Sequence, residues 1–94
     1  LSDLKHVKFS ALSNDTVDLT VSNSLRAMMM VAGNSNGVRG IVNLASSGAG
    51  APNAVNVGGD TSALTFNHTT NKISITFASP AQCLVFVLNG TVTI

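Results

Sequence analysis

The sequence predicts an all-β fold: a single antiparallel β-sandwich, jelly-roll-like, of eight or nine short strands over residues 1–94. Three observations predict it. Apolar residues alternate with polar ones at a period of two in segment after segment. The 94 residues include eleven Val, and Ser, Thr and Asn together number thirty, while Glu, Trp and Tyr are absent. Such residues suit strands and turns rather than helices. Turn signals separate the segments at the spacing of a sandwich or barrel, and no ten-residue window carries a convincing apolar stripe at helical period.

The elements follow in chain order. Val7 and Phe9 alternate with Lys8 and Ser10, and Val17, Leu19 and Val21 with Asp18 and Thr20. Longer strands are expected at Leu25–Ala32 and Val38–Ala45, joined by a hairpin turn over Gly33–Gly37. Ser46–Ala54, with its Gly, Ala and Pro, is expected to be a long, exposed and mobile loop. Further strands are expected at Val55–Val57, Ala63–Asn67, Lys72–Ala78, Gln82–Leu88 and Thr91–Ile94. A loop centred on Thr70-Asn71 would place Phe66 opposite Ile75 and Leu64 opposite Phe77. Asn89-Gly90 has the form of a two-residue hairpin turn, which would set Val87 opposite Val92 and Val85 opposite Ile94.

Composition narrows the function classes. A formal net charge of +1 and only nine charged residues disfavour nucleic-acid binding, which depends on counterion release by many cations. Hydrophobic content of 45% with low charge is the opposite of the disordered signature. The longest apolar run, Cys83–Leu88, is far shorter than the roughly 20 residues of a spanning helix, so no membrane insertion is expected. Leu1–Lys5 lacks the charged and apolar regions of a signal peptide, and the chain reads as a fragment or processed product.

Two strands are apolar on both faces. From Met28 onward, Leu25–Ala32 carries apolar side chains on either side. In Cys83–Leu88, Leu84, Phe86 and Leu88 point one way and Cys83, Val85 and Val87 the other. An outer face of a two-layer sandwich is ordinarily wet, so something must cover it. A loop or terminal strand would serve. A neighbouring copy of the chain would serve better, since a small monomer rarely exposes a large apolar patch. Met28, Met30, Val85 and Val87 are the expected oligomer interface, with three copies around an axis.

The inventory for chemistry is thin. Asp15 and Asp18 fit turn capping and a solvated strand face better than a calcium site, which wants a denser acidic loop. Gly58-Gly59-Asp60 fits a bend between strands. His6, His68 in a polar turn and the lone Cys83 are too scattered for zinc, and Cys83 fits buried packing. No Gly-x-Ser-x-Gly nucleophile motif and no phosphate loop is present, so no catalysis, cofactor or metal is expected. Sequons begin at Asn14, Asn67 and Asn89, about the number chance supplies. If a ligand binds, the hairpin tip is the place: Asn34, Ser35 and Asn36 offer amides and a hydroxyl. Arg39 beside them could form a bidentate pair with an acidic sugar. The same tip residues also suit a tight turn for its own sake.

Taken together, the Lys72–Thr76 strand behind a polar turn, the final apolar strand ending near Asn89-Gly90, and Leu25–Val31 with the Gly33–Gly37 turn resemble a known class. It is the small β-sandwich at the C-terminal end of bacteriophage tailspikes and tail fibres. The resemblance spans about Asp18–Ile94 and rests on strand–turn rhythm and composition. It implies a virion protein, the C-terminal part of a longer spike or fibre, located in the tail outside the host cell. It also implies a homotrimer that serves trimerisation and attachment to a host receptor, a cell-surface polysaccharide. The missing Trp and Tyr, which commonly stack on sugar rings, favour clamping of the trimer over glycan binding by this domain. A monomeric bacterial carbohydrate-binding or adhesin-like module is the alternative.

Overall fold

The computed structural model describes residues 5–33 and 37–94. These form nine strands: β1 (Lys5–Ala11), β2 (Thr16–Val21), β3 (Arg26–Gly33), β4 (Arg39–Ser46), β5 (Pro52–Asp60), β6 (Leu64–Thr69), β7 (Lys72–Phe77), β8 (Ala81–Asn89) and β9 (Val92–Thr93). They make two antiparallel sheets, β1-β8-β3-β4-β5 and β6-β7-β2-β9. The fold is the expected β-sandwich. Its strand pairs nest: β1 with β8, β2 with β7, and β4 with β5. The nesting is that of a rolled-up hairpin, interrupted where β3 and β6 fall in different sheets.

Period-two patterning explains the core. Met29, Val31, Val42, Leu44, Cys83, Val85 and Val87 point inward from the five-stranded sheet; Leu19, Val21, Ile73, Ile75, Phe77 and Val92 meet them from the other. Phe9 on β1 meets the fully buried Phe77 on β7 edge to face, with ring centroids 6.3 Å apart and planes at 81°. Such a pair contributes about 0.5–1.5 kcal/mol beyond the area it buries. It ties the two sheets together at one end of the sandwich.

The β6–β7 hairpin has the expected register, with Leu64 opposite Phe77 and Phe66 opposite Ile75. Asn71 takes a left-handed φ of 57° in its turn. Its amide nitrogen also donates to Val21 O at 2.8 Å and Asn23 Oδ1 at 2.9 Å. The turn is thereby fastened to the β2–β3 connection.

Three expectations are corrected. Asn89-Gly90 does not close a hairpin: β8 pairs with β1 and β3, whereas β9 crosses to the other sheet and sets Val92 beside Val21. Gly90 (φ 90°) passes so close to Leu25 that an added Cβ would lie 3.2 Å from its Cα. The dipeptide is a corner, with Asn89 Nδ2 donating to Ser24 O at 3.0 Å. Second, the segment 46–54 is no long loop. Ser46 completes β4, Pro52 begins β5, and the short turn between them is pinned: Ser47 N donates to Ala51 O, Ser24 N to Ser47 O, and Asn71 N to Gly50 O. Third, His68 lies in β6, and Gly58-Gly59-Asp60 ends β5 instead of linking strands.

Candidate functional site

In a regular antiparallel sheet, side chains opposite one another stand on the same face. The register of the five-stranded sheet therefore arranges its outer face in rows. One row runs Lys8, Leu84, Met30, Ile41, Gly58. The next runs His6, Phe86, Met28, Asn43, Val55. On the other side lies a more polar row, Ser10, Gln82, Ala32, Arg39, Asp60. The middle of this face is apolar and open to solvent: Met30 is 50% exposed, Val55 46% and Ile41 40%. Met28, Leu84 and Phe86 are half-buried among them.

Of the four residues expected at an interface, two face outward and two do not. Met28 and Met30 stand on the outer face. Val85 and Val87 do not: they are 0% and 7% exposed, point into the core, and cannot form a surface seam. Both faces of β8 are apolar, so its own alternation leaves the inward face undetermined. Pairing decides it, since Val85 sits opposite Val7 and the fully buried Met29. Leu84 and Phe86 take the outward places.

A groove of about 570 Å³ opens on this face. Ala32 is the smallest side chain of its row, and Met30, Ile41 and Leu84 rise beside it. Lys8 on β1 and Arg39 on β4 flank the groove, three strands apart, about 14 Å in the pairing direction. Asp60 stands opposite Arg39 in register but does not line the groove. Its carboxylate accepts from Ser62 N at 3.0 Å. Hydrogen bonds from the Ser62 hydroxyl and backbone hold it below the usual carboxylate range. Arg26 is occupied at the far end of the sheet, where Nη1 donates to Leu25 O at 2.7 Å and Ser46 O at 3.0 Å.

The approach of β5 to β4 shapes the end of this groove. The register shifts between Ile41 and Val42, and Gly59 takes φ 77° with its Cα so close to β4 that an added Cβ would meet Arg39 O and Gly40 Cα. Only glycine fits there.

The remaining candidates fall out differently. Asn34, Ser35 and Asn36 lie outside the described residues. Gly33 N donates to Val38 O at 2.6 Å, and Arg39 stands on the outer face. Asp15 Oδ2 accepts from Leu12 N at 2.8 Å, and Asp18 Oδ1 from the Ser74 hydroxyl at 2.7 Å. These are the turn cap and the solvated strand face expected of them. Cys83 is 2% exposed, and burial pushes its thiol up to about 12. Such a thiol is not a nucleophile at neutral pH. Among the described residues, no three His, Cys, Asp or Glu side chains stand together as a metal site would require.

Lys8, Ala32 and Ile41 belong to the site without any local mark of it in the sequence, and Leu84 and Phe86 take the outward places expected of Val85 and Val87. Only the outward turn of Lys8 was findable, from its alternation with Val7 and Phe9. The others depend on which face of β3, β4 and β8 meets the second sheet. No protein-family model matches the chain, and neither a curated protein nor a solved structure matches it.

Proposed function

We propose that the chain is a non-catalytic assembly and attachment module, acting as a homotrimer at the distal end of a phage tailspike or tail fibre. The observation that carries the reading is the outer face of the five-stranded sheet, where Met28, Met30, Ile41, Leu84 and Phe86 form an apolar patch, with exposed Val55 across Asn43 from Met28. A small monomer gains nothing from such a surface, and an assembly buries it. The phage assignment rests on the strand–turn resemblance, and the cell-surface polysaccharide is the partner that resemblance implies. Sedimentation equilibrium of the wild-type chain tests the reading. A trimer at micromolar concentration is expected; a monomer at that concentration overturns it.

A further inference from the structure

If copies of this chain associate, the apolar face needs a complementary surface. Two copies meeting groove to groove would bring Lys8 and Arg39 of each near the same cations of the other, which opposes that arrangement. A different part of the chain offers the matching chemistry. The turn between β1 and β2 presents Leu12, 70% exposed, with the carboxylate of Asp15 beside it. This knob is rigid. Asp15 N donates to Leu12 O at 3.1 Å, Asn14 N to Phe77 O at 2.6 Å and Phe77 N to Asp15 O at 2.9 Å. Asp15 Oδ2 accepts from Leu12 N, which fixes the carboxylate next to the exposed side chain. The backbone there is already ordered, so the entropy lost on docking is chiefly that of the Leu12 side chain.

Resting on the assembly reading above, we propose that the Leu12–Asp15 turn of one copy docks into the groove between Lys8 and Arg39 of the next. Leu12 fills the apolar space over Ala32, among Met30, Ile41 and Leu84. Asp15 meets Arg39, which stands in register with Ala32. The groove, at about 570 Å³, has room for more than one side chain. The contact is heterologous: knob and groove are different surfaces of the same chain. Such contacts run head to tail and close into rings when the rotation permits, which is how a three-fold assembly is built.

Head-to-tail docking has a signature that a self-complementary seam lacks. Leu12→Ser removes the knob and leaves the groove; Ala32→Trp fills the groove and leaves the knob. Both positions are exposed, so both variants are expected to fold, as circular dichroism and thermal melting will show. Arg39→Glu is a second groove variant should Ala32→Trp fold poorly. Each variant alone is expected to sediment as a monomer. An equimolar mixture is expected to give a dimer, because one intact knob meets one intact groove. Asp15→Asn keeps the turn's acceptor and removes its charge; it is expected to weaken assembly about tenfold at low salt and to reduce its salt dependence. Wild-type assembly with a mixture that stays monomeric, or either single variant assembling like wild type, overturns the docking and leaves the assembly reading standing. A monomeric wild type overturns both.

Discussion

Met29 and Met30 are neighbours in sequence and stand on opposite faces of β3: Met29 is fully buried between the sheets, and Met30 is 50% exposed on the outer face. The same side chain thus serves two ends one residue apart. Met29→Ala should cost about 2–5 kcal/mol of stability by losing buried contacts and leaving a cavity. Met30→Ala should change monomer stability by about 0.5 kcal/mol or less. Urea unfolding of the two variants, compared under conditions where both are monomeric, measures the difference. Equal losses would mean that the faces of β3 are misassigned.

Ser46 supports the far end of the sandwich from inside. It is 3% exposed; Leu25 N donates to its Oγ at 3.0 Å, and its hydroxyl donates to Ser22 O. Ser46→Ala leaves that N–H and that carbonyl without this partner. A loss of about 1–3 kcal/mol is expected, and Ser46→Thr should recover part of it if the methyl is accommodated. Denaturant midpoints with unchanged slopes would identify the effect as one on stability.

Much of this was legible in the sequence. Eight or nine strands follow from alternation, and the register at Thr70-Asn71 follows from pairing the apolar faces of β6 and β7. The Asn89-Gly90 corner was not legible, because a local signal states that the chain turns and not which sheet receives it. Val92 satisfies its apolar face equally beside Val87 or beside Val21. Ser46–Ala54 looked loose from its small residues, whereas long-range bonds from Ser24 and Asn71 hold it. Val85 and Val87 were assigned outward because a strand apolar on both sides carries no local mark of which side meets the core. Nor could the groove be seen, since it depends on four strands lining up Lys8, Leu84, Met30 and Ile41.

Two glycines with similar φ should respond differently to alanine. Gly37 has φ 80° with nothing among the described residues within 4 Å of an added Cβ, while Gly59 has φ 77° and β4 backbone in the way. Gly37→Ala should cost about 1 kcal/mol, the penalty for a left-handed non-glycine. Gly59→Ala should cost clearly more, because β5 must move off β4. Thermal unfolding of the pair checks the order.

Cys83 gives the stability curve an alkaline limb. Burial raises its thiol to about 12 from 9.0, so between those values the unfolded chain releases a proton that the folded chain keeps. The folded state then binds more protons, and stability falls as pH rises through that window. Cys83→Ala should flatten this part of the profile, though it lowers stability at pH 7 by removing buried sulfur. In the native protein at pH 8 the thiol should resist alkylation, and urea should expose it. Rapid labelling without denaturant would contradict its burial.

In the proposed assembly the outer face of the five-stranded sheet joins copies of the chain. Met30→Asp tests it most directly, because Met30 lies at the centre of that face and its exposure lets a monomer carry the charge, whereas a buried seam does not tolerate an unpaired carboxylate. The solution mass of wild type and variant should be measured side by side by sedimentation equilibrium. A wild-type trimer and a folded, monomeric Met30→Asp chain are expected. A variant that remains a well-folded trimer would place the seam elsewhere.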